Sequence, residues 1–243
     1  METFEIANLY VRFDARGELL HSRTRAYLAK DGAEADFTID LSEEFFARKH
    51  EQYPQLTLDE CRYMWVGEAF YARLLQYDGM LLHASCVEKD GKAYLFSAKS
   101  GTGKSTHTHL WLRAFPDSRI INDDKPAVRR MDGTFYACGT PFSGKTDENI
   151  NVQVPIRAIV FIERGTENSI EPIPPAAAIP LFLSQTLRPP KKAAMETMLT
   201  LLGKLIEAVP VFRLRCNMDL SAAQTAFAGI ETYYKNQENG AVL

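Results

Sequence analysis

A glycine-rich segment that follows a short apolar run carries the first candidate chemistry of this chain. Residues 97–106 read Ser-Ala-Lys-Ser-Gly-Thr-Gly-Lys-Ser-Thr, directly after Tyr-Leu-Phe. A strand, a glycine loop and a helix in this order form a phosphate cradle, because Gly101 and Gly103 let backbone N–H groups turn inward. The residues expected to bind the phosphates are Ser100, Gly101, Thr102, Gly103, Lys104, Ser105 and Thr106.

Two side chains of this loop are expected to make specific contacts. Lys104 reaches the outer phosphates and the Ser105 hydroxyl ligates Mg²⁺, while the helix N-terminus adds positive charge towards the same anion. The first glycine of the usual spacing is Ala98 here, which keeps its backbone N–H but restricts the turn. The segment predicts a site for ATP with Mg²⁺; the alternative is a flexible glycine turn with a solvated lysine.

A pair of adjacent acids, Asp123 and Asp124, ends a second short apolar run. In phosphoryl transfer one carboxylate holds the metal that bridges the phosphates, and another can accept the proton of an attacking hydroxyl. We assign Asp124 to Mg²⁺ together with Ser105, and Asp123 to the proton, although the two assignments are interchangeable from sequence. The alternative interpretation is a turn or helix cap before Lys125.

These two motifs resemble the nucleotide site shared by phosphoenolpyruvate carboxykinases and HPr serine kinase/phosphorylases. The resemblance extends over roughly residues 79–230, and residues 81–85, Leu-Leu-His-Ala-Ser, are similar to the histidine-bearing strand before the phosphate loop of HPr kinase. Residues 139–145 are similar to accessory kinases of this group that are found beside peptide-modification genes. The resemblance implies an α/β fold, with a mixed sheet in a carboxykinase-like nucleotide-binding domain, and places His83 beside the phosphates; a structural histidine is the alternative.

The chain departs from the HPr kinase pattern in two places. The segment Glu-x-Arg-Gly-x-Gly is not found after the acidic pair, where residues 136–141 read Tyr-Ala-Cys-Gly-Thr-Pro. The arginine-bearing loop associated with the phosphorylase reaction has no counterpart other than Arg213 or Arg215. A forward kinase is therefore expected.

Two further cations are candidates for catalysis. Lys145, in the Gly-Thr-Pro-Phe-Ser-Gly-Lys loop, is placed to contact substrate or a transferred phosphoryl group, and a solvated loop lysine is the alternative. Arg188 is a candidate to stabilise charge on the γ-phosphate, although an arginine at a helix end is an equal interpretation. The candidate catalytic residues are Asp123, Lys104, His83, Lys145 and Arg188.

We predict an ATP-dependent kinase that phosphorylates a hydroxyl, with a serine of a protein or peptide as the expected acceptor. A kinase of a small molecule such as free serine is a second possibility. A nucleotide-binding regulatory module without turnover is a third, motivated by Ala98 and by the missing glutamate motif.

Composition excludes other classes of function. A net charge of −3 argues against a nucleic-acid partner, and no apolar run approaches the ~20 residues that span a bilayer. The four cysteines have no Cys-x-x-Cys spacing, which favours buried thiols. We expect a cytoplasmic protein without a membrane partner, and an oligomer is possible.

The chain is expected to divide at Asp78-Gly79. Residues 1–78 are predicted to form a small α+β region, with a serine cap at Ser42 and a capping box over 57–60. Residues 79–235 form the predicted kinase domain, with a buried central strand at 156–163, a proline-marked connection at 172–180 and an amphipathic helix at 191–207. Residues 236–243 are predicted to be a polar tail.

Overall fold

The structure, a computed structural model, describes residues 1–240. The strands in this range are β1 (Glu2–Ile6), β2 (Leu9–Phe13), β3 (Phe37–Thr38), β4 (Gly79–Leu81), β5 (Ala84–Lys89), β6 (Lys92–Ser97), β7 (Arg119–Asp124), β8 (Ala127–Met131), β9 (Thr134–Cys138), β10 (Gln153–Arg164), β11 (Ser169–Pro172) and β12 (Val211–Cys216). The helices are α1 (Glu18–Thr24), α2 (Glu43–Gln52), α3 (Leu58–Leu74), α4 (Lys104–Ala114), α5 (Pro175–Ser184), α6 (Lys192–Ala208) and α7 (Leu220–Gly240).

The strands form two sheets. The smaller has the order β1-β2-β3, and the larger has the order β4-β8-β9-β10-β6-β5-β7, with β12 paired to β10 and β11 paired to β12. Strand β10 is parallel to β6 and β12, whereas the other pairs of the large sheet are antiparallel. The prediction of an α/β protein with a mixed sheet is therefore confirmed.

Strand β10 is the central strand that the apolar run at 156–163 predicts. Ala158, Ile159 and Val160 are completely buried, which is typical of a strand covered on both faces. The first residues of β10 pair with β9, and its later residues pair with β6 and β12. Because β6 and β10 are parallel, their carboxyl ends lie at one edge of the sheet, and the glycine-rich loop follows β6 there.

The N-terminal region shares a hydrophobic core with the large sheet. Its buried aromatic residues pack in one cluster with Ala127, Cys138 and Phe142. The buried guanidinium of Arg129, on β8, donates hydrogen bonds to the carbonyls of Ala7, at 2.7 Å, and Tyr77, at 2.9 Å. The division of the chain at Asp78-Gly79 stays a prediction.

The predicted helix starts of the N-terminal region are confirmed. The Ser42 hydroxyl accepts a hydrogen bond from the backbone N–H of Phe45 at the start of α2. At the start of α3, Thr57 and Glu60 form a reciprocal capping box. Each cap satisfies backbone N–H groups that have no partner within the helix.

Three elements differ from the expectations. Residues 175–184 form helix α5 with Pro180 inside it, not a connection, because Pro175 suits the first turn and Ala178 and Phe182 pack into the core. Helix α1 was not expected from the sequence. Helix α7 continues to Gly240, so residues 236–240 of the predicted tail are helical, and 241–243 lie outside the described residues. Over residues 1–240, the helices are all too short or too polar to span a membrane.

Candidate active site

The glycine-rich loop lies between β6 and α4. Strand β6 ends at Ser97 and helix α4 begins at Lys104. Gly101 has φ 75° and Gly103 has φ 116°, conformations that side chains other than glycine adopt only with strain. The loop therefore curls over the N-terminus of α4, whose first N–H groups have no partner within the helix and attract anions.

Lys104 is folded back over this loop. Its side chain is buried, and its Nζ donates a hydrogen bond to the carbonyl oxygen of Ala98 at 3.3 Å. Burial lowers the pKa of Lys104, while the charges of Asp124 and Asp123 act in the opposite direction. A positive charge is thus held at the centre of the loop, within the field of both aspartates.

Asp123 is a buried carboxylate that joins the loop to the sheet. Its Oδ1 accepts hydrogen bonds from the hydroxyls of Ser85 and Ser105, the latter at 2.9 Å. Its Oδ2 accepts a hydrogen bond from Thr146 at 2.9 Å. The residue in direct contact with the loop serine is therefore Asp123.

Asp124 has different surroundings. Its Oδ1 lies 2.9 Å from Nε2 of His83, and its Oδ2 lies 3.2 Å from Nζ of Lys125. Although burial acts to raise the pKa of Asp124, the hydrogen bond from His83 and the charge of Lys125 together lower it to about 2. Asp124 also has φ 99°. If Gly144 carried a Cβ, that atom would lie 2.8 Å from the Cβ of Asp124. The carboxylate is ionised and tightly positioned.

His83 lies in the short link between β4 and β5, so the expectation that it belongs to a strand is wrong. Its Nδ1 lies 3.0 Å from Oε1 of Gln185, and its backbone N–H donates to the carbonyl of Gln185 at 2.7 Å. With Asp124 on Nε2, both ring nitrogens face oxygen atoms. Both contacts are hydrogen bonds only when each nitrogen carries a proton.

One comparison with known proteins shows the family of this chain. The model described as "ScmC: SynChlorMet cassette protein ScmC" matches residues 55–220, more than half of the chain. The chain belongs to the ScmC family. No curated protein matches it significantly. Among solved structures, the Hpr(Ser) kinase/phosphatase from Coxiella burnetii is similar over 65% of this chain and 96% of its own, with 9% identity and a TM-score of 0.37. That likeness is distant.

In this ScmC-family chain, the two other candidate cations have exposed side chains. Lys145 follows Gly144, which packs on Asp124, and its side chain is exposed. Arg188 is exposed and lines a small cavity of about 110 Å³ whose lining includes Glu68 and Leu75 but no residue of the glycine-rich loop. The role of Arg188 at the γ-phosphate therefore stays a prediction.

Two cavities flank the glycine-rich loop of the ScmC-family site. One, of about 480 Å³, is lined by Gly103 and Thr106 together with Met218 beyond β12. The other, of about 700 Å³, is lined by Ser100 and by Phe161 of β10. The loop thus borders two open cavities.

Four polar residues of the site were missed in the sequence. Ser85 and Thr146 bind Asp123, Gln185 binds His83, and Arg164 donates to the carbonyl of Gly101 at 2.5 Å. Ser85 alone carried a signal, since it stands two positions after His83 in a segment that the sequence predicts to be a strand, where one face repeats with that period. Thr146, Gln185 and Arg164 come from distant segments.

Proposed function

We propose that this ScmC-family chain is an ATP-dependent kinase whose acceptor is a hydroxyl, expected to be a serine in a peptide or protein. The observation that carries the proposal is the contact between Ser105 and Asp123 at the glycine-rich loop, directly beside the pair formed by Asp124 and His83. In this arrangement a phosphate-binding loop lies next to two carboxylates, one suited to bind the metal and one suited to contact the acceptor. Phosphoryl transfer needs these three parts.

The residues at the loop fit Mg²⁺ bound together with ATP. Residues 1–240 contain no group of three or more His, Cys, Asp or Glu that could hold a metal without further ligands. Mg²⁺ is usually held by one or two protein groups, with water and phosphate oxygens completing the shell. Ser105 and Asp123 supply such a partial set. Lys104 supplies the charge that binds the outer phosphates.

The contacts support the opposite assignment of the two aspartates from the one made on sequence: Asp123 for the metal and Asp124 for the acceptor hydroxyl. Asp123 touches Ser105 and is buried, so we assign it to the metal. Asp124 is more exposed and stands beside His83, so we assign it to the acceptor hydroxyl. ATP with Mg²⁺ supplies the phosphoryl group: the bond from the γ-phosphorus to the leaving oxygen of ADP breaks as a bond to the acceptor oxygen forms. Asp124 accepts the hydroxyl proton, and His83 and Lys125 hold Asp124 in place.

A carboxylate with a pKa of about 2 is a weak base, which suits a loose transition state. In such a transition state the bond from the acceptor oxygen to phosphorus has barely formed. The hydroxyl proton is therefore still held by its oxygen, and a strong base is not required. Positioning of the hydroxyl therefore contributes more than basicity in this assignment. His83 is assigned to positioning, because its Nε2 contacts the Asp124 carboxylate and its Nδ1 contacts Gln185.

The proposal is tested first with Lys104→Ala, and Lys92→Ala is the matched control because Lys92 is an exposed lysine at the opposite end of β6. The acceptors are a panel of serine peptides, peptides encoded in the same gene cassette as the chain, and free serine. Transfer to each acceptor is followed with radiolabelled phosphate. We expect transfer to fall by at least about 10³-fold in Lys104→Ala and to be retained in Lys92→Ala, with both variants showing parent-like circular dichroism.

Two results would contradict the proposal. Equal rates of transfer by Lys104→Ala and the parent would show that the glycine-rich loop takes no part in the reaction. MgATP binding by the parent without transfer to any acceptor would favour a regulatory module.

A further inference from the structure

A third cavity adjoins the Asp124–His83 pair. We call it the α3 cavity; it has a volume of about 350 Å³, and His83 and Lys125 are among its lining residues. These are the two residues that contact Asp124. No residue of the glycine-rich loop lines it. The α3 cavity therefore borders the pair through His83 and Lys125 without touching the glycine-rich loop.

The inner wall of the α3 cavity is aromatic. It is formed by Tyr63 and Tyr71 of α3 together with Phe142. Both tyrosine hydroxyls are already bonded, Tyr63 to the carbonyl of Pro141 at 3.2 Å and Tyr71 to the carbonyl of Lys125. Because these polar groups are satisfied by the protein, the rings offer apolar surface to the cavity.

The rim of the α3 cavity carries exposed apolar side chains. Met64 is 46% exposed and Leu187 is 36% exposed, and both line the cavity. Met64 stands on α3, and Leu187 lies in the segment that follows α5. Exposed apolar groups around an apolar cavity are characteristic of a ligand site.

We infer that the acceptor is a peptide with a bulky apolar side chain next to its hydroxyl residue, and that this side chain occupies the α3 cavity. The inference rests on the proposed kinase function and names its substrate class. Free serine matches the cavity poorly, since it has no apolar group to fill 350 Å³ or to contact the aromatic walls. A flanking Phe or Leu side chain gains burial there while its neighbouring hydroxyl reaches Asp124.

The test uses fluorescein-labelled hexapeptides of the form Gly-Gly-X-Ser-Gly-Gly and Gly-Gly-Ser-X-Gly-Gly, where X is Phe, Leu or Ala, with free serine alongside. Binding is measured by fluorescence anisotropy and phosphoryl transfer by kcat/KM. We expect the better Phe or Leu peptide to exceed its Ala counterpart by at least about tenfold in both. In the double variant Met64→Ala/Leu187→Ala this preference falls below about threefold.

Leu199→Ala is the matched control, because Leu199 is an equally exposed leucine on α6 that lines none of the cavities described. It is expected to keep the preference of the parent. MgATP affinity is measured on the same preparations to check that the glycine-rich loop is intact. Circular dichroism checks that the helices are intact.

Three outcomes overturn the inference: Ala peptides or free serine that match the Phe and Leu peptides, a preference that survives in the double variant, or no binding of the peptides. If the apolar preference in binding is present and depends on Met64 and Leu187 but no phosphate is transferred, the kinase function fails and the peptide site stands. The two proposals are thereby separated.

Discussion

At the residue scale, Asp123 and Asp124 are neighbours in the chain with opposite surroundings. Asp123 is buried and accepts three hydroxyl hydrogen bonds. Asp124 is contacted by the side chains of His83 and Lys125. Because successive residues of a strand point to opposite faces, one carboxylate meets Ser105 of the glycine-rich loop and the other meets His83 and Lys125.

Amide substitutions separate the two roles. Asp123→Asn is expected to weaken the Mg²⁺-dependent part of ATP binding, since an amide oxygen carries no net charge for the ion. Asp124→Asn is expected to lower kcat about 10²-fold, the lower end for a general base because its pKa is only about 2, with little change in nucleotide Kd. Asparagine also tolerates the positive φ at this position. Calorimetric titration with and without Mg²⁺, together with transfer kinetics, measures both effects.

The reverse pattern supports the initial assignment of the two acids. In that case Asp124→Asn loses Mg²⁺ dependence and Asp123→Asn loses only kcat. Glu88→Gln on β5 is a suitable control, because its carboxylate pairs with exposed Arg119 away from the site.

His107, on α4, is buried, and its burial changes its pKa. Its Nε2 accepts a hydrogen bond from the indole N–H of Trp111 at 3.1 Å, and burial lowers its pKa to about 4. The unfolded chain therefore binds more protons between pH 6.5 and 4. The contribution of His107 to stability is complete above pH 6.5 and is lost as pH falls towards 4.

We expect the free energy of unfolding to fall by about 2 kcal/mol more between pH 7 and pH 5 in the parent than in His107→Gln. The variant lacks the ionisable ring but retains an acceptor for Trp111. Urea unfolding at both pH values measures the difference. Equal pH dependence of parent and variant would show that the imidazole is not the group responsible.

At the element scale, two glycines inside long helices have opposite surroundings. Gly67 on α3 faces Phe142, and a Cβ there would lie 2.8 Å from Cδ1 of that ring. Gly203 on α6 has nothing within 4 Å of the corresponding position. Gly67 therefore allows α3 to pack closely on Phe142, which also forms the wall of the α3 cavity.

Alanine at each position gives opposite results. Gly203→Ala is expected to stabilise the protein by about 0.8–1 kcal/mol through helix propensity. Gly67→Ala is expected to destabilise it by about 1–2 kcal/mol, because overpacking against a buried ring exceeds the same propensity gain. Thermal and urea unfolding of the two variants check the signs. Stabilisation by Gly67→Ala would mean that the Phe142 ring moves freely.

At the scale of the whole molecule, the N-terminal region and the large sheet share one core, and Arg129 ties them together. The two tryptophans of the chain report on the two parts separately, since Trp65 lies on α3 and Trp111 on α4. A shared core predicts that both parts unfold together.

The single-tryptophan variants Trp65→Phe and Trp111→Phe test this. In each, the fluorescence transition of the remaining tryptophan is expected to coincide with the far-ultraviolet circular dichroism transition within experimental error. Two separated transitions in either variant would indicate that residues 1–78 fold as an independent domain, as the sequence division at Asp78-Gly79 suggests.

The sequence by itself determined the features that depend on neighbouring residues. The loop at 98–103 needs Gly101 and Gly103 for its backbone and is followed at once by Lys104 at the helix start, so its shape is readable from a few adjacent residues. The capping box over 57–60 and the buried strand at 156–163 are local in the same sense. Helix α5 was missed because core packing by Ala178 and Phe182 outweighs the proline signal.

Only the tertiary structure decided which distant residues meet. The pairing of β5 with β7 brings Ser85 next to Asp123, the loop after β9 brings Thr146, and the end of α5 brings Gln185 to His83. Arg188, three residues further on, lines a small cavity that no residue of the glycine-rich loop lines. These contacts depend on strand order and loop path, which sequence spacing does not encode. The proposed assignment of Asp123 to the metal rests on such a contact, because the fold sets which carboxylate reaches Ser105.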